Sequence, residues 1–335
     1  MYKKLFFCLI ISIEFLQALP VVTIGFMGDV MLGRSVDEMI NKTSYRYPWG
    51  DTLSDIKRND LTIINLETTL TTSTKKVPKV FNFKASPEAV NVLKTAHIQV
   101  ANIANNHILD FSVTGLLETI ATLKKAQILY MGAGRTEAEA RKPLIITVKN
   151  IKIGILGATD NEPTWEAKGR KPGTNYIAIP DTRKIKEDID SVRSRVDMLI
   201  VSLHWGPNMR QRPTAECREF AHKLIDYGVD IIHGHSAHVF QGIEIYKKKL
   251  ILYDTGDFID DYAVDPVLQN NRSFLFKVKI NKTSIEQVEL IPVIIQNMQV
   301  NRARGKIATQ ILDKMRKLSA ELGTVVTRSG KIFIN

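Results

Sequence analysis

Val21-Val22-Thr23-Ile24-Gly25-Phe26-Met27 runs directly into Gly28-Asp29-Val30-Met31-Leu32-Gly33-Arg34. The first part is short and β-branched and reads as a buried strand. It ends on Gly-Asp, and a helix is expected over about 35–40. The same strand–loop–helix pattern recurs. A strand over 61–65 ends in Leu66-Glu67. Ser86-Pro87-Glu88 opens a helix expected to reach about Ala96, with a serine cap and proline in the first turn. A strand over 98–104 leads into Asn105-Asn106-His107, and an amphipathic helix over 113–126 precedes a strand over 128–131. Residues 144–148 and 151–156 flank Lys149-Asn150 as a hairpin. A loop rich in Gly, Pro and charge fills 160–175, and a helix covers 182–195. The strand over 198–203 ends in His204-Trp205-Gly206. After a helix over 214–227, the strand over 230–232 ends in His233-Gly234-His235-Ser236-Ala237-His238. Strands then cluster at 250–253, 274–280 and 285–295. A last helix over about 303–322 places Ile307, Ile311, Leu318 and Leu322 on one face. Units of this kind give an α/β fold with a mixed sheet, in which ligands sit at the carboxyl ends of strands.

The 335 residues are 44% hydrophobic and 24% charged, an ordinary globular balance that excludes a disordered chain, a collagen or a long coiled coil. Lys and Arg exceed Asp and Glu by 46 to 35, a net charge of +11. That excess favours anionic partners. It is not strongly clustered and comes without zinc-finger or aromatic RNA-binding spacing, so nucleic acid is not expected. Residues 1–19 begin with Lys3 and Lys4 and continue with an apolar run broken at Ser12 and Glu14. This is the build of a secretory signal peptide, or of a retained N-terminal anchor, and is too short for a comfortable membrane span. Export is therefore expected, to the periplasm or cell surface or in a membrane-anchored form. Cleavage near residue 19 would leave Cys217 without an intramolecular disulfide partner.

The chemistry lies where polar residues interrupt strand ends. Five loops carry Asp29, Glu67, Asn106 with His107, His204, and His233 to His238; five of the seven histidines fall in them. Each residue has a bland reading alone: Asp29 and Glu67 as helix caps, Asn106 as a left-handed turn, His204 as a satisfied core histidine. Joint placement at one sheet edge carries the inference. Carboxylates, an amide oxygen and imidazoles together suit Mn²⁺, Fe²⁺ or Zn²⁺, one or two ions, rather than Ca²⁺ or a thiolate zinc site. His97 and His222 lie in or near helices away from these loops and read as structural.

These five segments, in order and spacing over about residues 22–295, resemble the capsule-synthesis CapA family. That family is linked to poly-γ-glutamate biosynthesis and is similar to calcineurin-like metallophosphoesterases. The resemblance implies a sandwich of two mixed β-sheets flanked by helices over 20–300, with a C-terminal helix and tail, 301–335, packed on it. It also implies Asp29, Glu67, Asn106, His204, His235 and His238 as metal ligands, Glu67 in the bridging position. His107 becomes the residue that stabilises or protonates the reacting group, and Arg34 an anchor for anionic substrate. Met31 stands where phosphoesterases place a ligand histidine, and a thioether is a poor ligand for a hard dication. Glu67 is one methylene longer than the usual aspartate. Histidines at both two- and three-residue spacing leave the last ligand pair open, with His233 in reserve. Asp254 and Asp257, after another strand, are candidates to orient a ligand histidine.

The expected function is a metal-dependent hydrolase of capsule or envelope polymer metabolism, acting on phosphoester or γ-glutamyl amide bonds. Its partners would be an anionic polymer or phosphorylated envelope substrate, with capsule-synthesis membrane proteins alongside. Met31 favours the alternative, a non-catalytic polymer-binding or export component. Retention of His107 favours the enzyme. A cytosolic phosphatase is the third reading.

Overall fold

The computed structural model describes residues 20–334; the expected leader, 1–19, lies outside them. Two mixed sheets face each other. In the first the order is Gln299–Arg302, Ile285–Gln296, Arg272–Ile280, Val22–Val30, Leu61–Leu66, Val100–Asn102, Leu129–Met131. Val22–Val30 is its pivot, parallel to Leu61–Leu66 on one side and antiparallel to Arg272–Ile280 on the other. Its carboxyl end gains a further parallel neighbour, Asp257–Ile259. The second sheet runs Ile243–Tyr246, Lys249–Leu252, Ile231–His235, Met198–His204, Ile151–Thr159, Leu144–Val148. Its four inner strands are parallel and its edges antiparallel.

Side chains alternate across each strand, and this divides the core into three layers. Ile24, Phe26 and Ile63 of the first sheet meet Ile153, Ile155, Ile200, Ile231 and Leu250 of the second, in the layer between the sheets. Ile64 and Ala101 point outward to residues of the helices Ser35–Lys42, Val90–Thr95 and Ser112–Lys125. Leu199, Val201, Ile232 and Ile251 point outward to Arg183–Arg193 and Ala215–Asp226. The sandwich of two mixed sheets flanked by helices is thus the observed fold.

Two expectations are corrected in detail. The helix expected from Ser86 begins as a 3-10 turn, Pro87–Ala89, before the α-helix Val90–Thr95. The last helix spans Gly305–Ala320 and buries Ile311, Met315, Leu318 and Ser319. Ile307 in its first turn is partly exposed and Leu322 lies beyond its end. Met315, one turn after Ile311, supplies the apolar contact instead. Ser319 Oγ accepts the amide of Ile243 at 3.0 Å, which fastens this helix to an edge strand. Lys331–Phe333 then adds to Ile285–Gln296. Among the described residues no helix is long and apolar enough to cross a membrane.

Candidate metal centre

Parallel strands that end at one level bring their last residues together. Register pairs Asp29 with Asn65 and Asp257, Asn65 with Asn102, and His204 with His235. These ends meet where the two sheets face each other, and every one of these side chains is buried. The close approach needs glycine. A Cβ on Gly28 would lie 1.8 Å from the Gly256 carbonyl oxygen, and one on Gly234 would lie 2.0 Å from that of Tyr253.

Two donor groups share Asp29. One is Asp29, His204 and His235; the other is Asp29, Glu67 and His238. His204 Nδ1 lies 3.8 Å from Asp29 Oδ1 and His235 Nδ1 lies 3.7 Å from it, with 3.0 Å between the two imidazole nitrogens. His238 Nδ1 is 3.4 Å from Asp29 Oδ2. Glu67 Oε1 sits 3.8 Å from His204 Nε2, and Asn106 Oδ1 is 3.0 Å from that same nitrogen. All six residues expected as ligands therefore converge.

The donors fit a divalent cation. Glu67 Oε1 is buried without a hydrogen-bond partner, which is costly for a carboxylate unless a cation meets it. Mixed nitrogen and oxygen donors are the set for Mn²⁺, Fe²⁺ or Zn²⁺. Burial, with Asp29 nearby, holds the Glu67 carboxyl well above the usual carboxylate range. Burial pushes His204 down to about 3 and His235 well below its ordinary value, so both are neutral imidazoles, the form in which a histidine can meet a cation. His238 is the exception: burial opposes its charge, but Asp257 and Glu67 hold it well above the ordinary histidine value.

The supporting shell is specific. His238 Nδ1 meets Asp257 Oδ1 at 2.9 Å. Asp254 accepts the amides of Ala237 and Gly256 at 2.7 and 2.8 Å. Asp254 thereby braces a loop in which Ser236 has φ 114° and His238 φ 60°, conformations of order 1–3 kcal/mol each for such residues. Ser202 Oγ lies 3.1 Å from both His235 Nε2 and His233 Nδ1. The other nitrogen of His233 faces the Met27 carbonyl oxygen at 3.0 Å. His233 consequently stands behind His235, with both its nitrogens occupied, and does not join the donor set.

His107 is placed beside the donors. Its Nε2 is 3.9 Å from Glu67 Oε1, its ring stacks on Phe83 at 3.7 Å, and its Nδ1 lies 2.6 Å from Asp110 Oδ2. Asp110 also accepts the Phe83 amide at 2.7 Å and Lys79 Nζ at 3.0 Å. With Nδ1–H committed to Asp110, Nε2 faces the centre. Arg34 is engaged differently from the expectation. Its guanidinium pairs with Asp261 and lies 4.8 Å from the Phe83 ring centroid and 5.3 Å from that of Tyr262. Its charge is shared with Asp261, while 31% of the side chain stays exposed. Met31 packs in the outer apolar layer, its sulfur 3.0 Å from the Gly33 amide. A cavity of about 500 Å³, lined by Lys79, Phe81, Phe83, Asn106, His107 and His238 among others, opens the centre to solvent.

Sequence reasoning missed Asn65, Asn102, Ser202, Tyr262, Lys79 and Asp110. Asn65 Nδ2 donates to Asp29 Oδ1 at 2.7 Å, and Asn102 Nδ2 lies 3.3 Å from His235 Nε2. The signal for both was an amide at the end of an apolar strand. For Asp110 it was the three-residue spacing from His107. Lys79 carried none. Asp110→Asn is expected to lower turnover by about 10–100-fold, the scale of losing a group that orients a histidine. Metal content should stay near wild type while the thermal midpoint falls, because the amide would set its NH2 against one of the three donors that Asp110 accepts; metal analysis and calorimetry on the same preparation would check both.

Residues 23–262 match the model of the family described as "Bacterial capsule synthesis protein PGA_cap". A Mycobacterium tuberculosis protein named "Probable polyglutamine synthesis accessory protein" is 32% identical over 362 residues, covering 93% of this chain and 95% of that one. "Capsule biosynthesis protein CapA" of Bacillus anthracis is 28% identical over 300 residues, or 88% of this chain and 71% of its own. Among solved structures, a Staphylococcus aureus "Putative 5'-Nucleotidase" in complex with alpha-ketoglutarate superposes with a TM-score of 0.52 at 13% identity, covering 89% of this chain and 58% of that one. This last likeness concerns the fold alone. The family match and the identity carried along nearly the whole chain agree with the strand-end motifs, and the chain belongs to the bacterial capsule synthesis family.

Proposed function

We propose that this protein is a metal-dependent hydrolase of capsule or envelope polymer metabolism, acting on a phosphoester or γ-glutamyl amide bond. The observation that carries the reading is Glu67: a buried carboxylate with one unpartnered oxygen, set between His204 and the candidate acid His107. Asp29, Glu67 and His238 would hold a cation on one side and Asp29, His204 and His235 on the other, with Asn106 beside Glu67 at the second nitrogen of His204. When bound, such a dication supplies Lewis acidity to the scissile group and acidifies water.

The chain's own residues do the rest. Asp110 fixes the His107 ring and tautomer. Burial lowers the His107 pKa, against the opposing pull of Asp110. An anionic substrate arriving beside Nε2 favours the imidazolium, whose Nε2–H is then positioned to give its proton to a leaving oxygen. Phe83 and Tyr262 wall the approach. Residues 20–300 would form this working unit, with 301–335 packed on it. Export to the envelope places it near an anionic polymer or phosphorylated substrate and near membrane proteins of capsule synthesis.

Met31 favours a second reading, a non-catalytic polymer-binding component, because its position brings no imidazole to the centre. Metal analysis followed by a panel of phosphodiesters and γ-glutamyl peptides separates the two. The hydrolase reading expects bound Mn, Fe or Zn and turnover lost on chelation. Bound metal with no turnover on the whole panel would leave the binding component as the better reading.

A further inference from the structure

The rim of the cavity is apolar and basic at once. Residues 75–84, Lys-Lys-Val-Pro-Lys-Val-Phe-Asn-Phe-Lys, hold four lysines and no carboxylate. At the tip of this loop Val80 is 89% exposed and Phe81 59%. Across the opening Met209 is also exposed, and the next segment adds Val264 at 51% and Val267 at 78%. Phe81, Met209 and Ala263 line one cavity; Val264 lines the adjoining one, and Tyr262 belongs to both.

The loop is held in this shape. Lys79 is tied to Asp110, the Phe83 amide donates to Asp110 at 2.7 Å, and Asn82 Nδ2 donates to the Val77 carbonyl at 3.2 Å. Carboxylates nearby are already engaged. Asp261 pairs with Arg34, Glu162 lies 3.6 Å from Lys79 Nζ, and Asp265 Oδ1 accepts the amides of Val267 and Leu268. Lys75 and Lys76, earlier in the same loop, are exposed.

Single exposed apolar residues are ordinary, but large ones gathered on three segments around two adjoining cavities mark a surface that meets something. An anionic polymer would answer the lysines and leave Val80, Phe81 and Val264 in water. A lipid surface answers both: apolar tips enter the boundary between headgroups and acyl chains while lysines face anionic headgroups. We propose that this rim docks on an anionic lipid bilayer and turns the cleft toward substrate held at the membrane. The surface is independent of whether the centre turns substrate over.

The test uses the full chain carrying Phe81→Trp, read as a difference from the parent protein. The probes are vesicles of phosphatidylglycerol with phosphatidylcholine, vesicles of phosphatidylcholine alone, and both with brominated acyl chains. Residues 1–19 have an apolar run of their own, so the position-specific signal decides rather than sedimentation. The introduced tryptophan is expected to shift to shorter wavelength and be quenched by bromolipid on the anionic vesicles only. Adding Lys75→Gln and Lys76→Gln should weaken that signal about tenfold or more. Val264→Trp is a second reporter should the first variant fail to fold. Solvent-like emission from both reporters on anionic vesicles would overturn the proposal. So would a shift produced by poly-γ-glutamate and not by vesicles, which would assign the rim to a polymer.

Discussion

His107→Ala should keep its metal and lose turnover by about 10²–10⁴-fold, the scale of removing a positioned general acid. The geometry separates the two effects. His107 is not in either donor group. Its Nδ1 is committed to Asp110 and its Nε2 stands 3.9 Å from Glu67. Removing the ring therefore leaves Asp29, Glu67, His204, His235 and His238 in place. It also uncovers the face of Phe83, which costs stacking rather than a ligand. Elemental analysis and kinetics on one preparation read both quantities. Full activity in the variant would make His107 a structural residue and take the acid from the proposed mechanism. A parallel loss of metal would make it part of the ligand set.

Asp29→Asn should do the opposite and remove metal and turnover together. Asp29 belongs to both donor groups, and its oxygens lie 3.4–3.8 Å from nitrogens of His238, His235 and His204. Burial would raise its pKa, but the hydrogen bond from His238 and the surrounding imidazoles outweigh that and keep it below the usual carboxylate range. An amide there supplies no charge to balance a dication. Loss of an outer contact costs about 10–100-fold in metal affinity, and the shared carboxylate should cost more than that upper figure. Titration of the metal-free variant with Mn²⁺ or Zn²⁺ gives the affinity directly. Wild-type affinity would show that the candidate centre is not where the cation sits.

Much of this centre was legible before any coordinates. Asp29, Glu67, His204 and His235 stand at strand ends, and Asn106 in the turn that follows one, because a polar residue that ends an apolar run lies at a sheet edge. Parallel strands carry such edges to one side. The histidine spacing, by contrast, could not choose among His233, His235 and His238. Alternation along Ile231–His235 puts His233 and His235 on the same side, and only packing separates them. His233 meets Ser202 and Met27, while His235 meets His204. The pairing of Arg34 was likewise hidden, because Asp261 lies 227 residues away in the chain.

From the sequence alone came the α/β class, the succession of strands and helices along the chain, the hairpin about Lys149-Asn150 and the list of chemistry-bearing residues. These depend on local periodicity and on where polarity interrupts it, and both are written within a few residues of each other. Tertiary structure decided which groups are spent and which are open. Lys79 was invisible as a partner until its loop folded over the cleft and met Asp110, 31 residues away. Glu67 became informative only when burial left one oxygen unpartnered. Those properties depend on neighbours brought together from distant parts of the chain, so no window of sequence contains them.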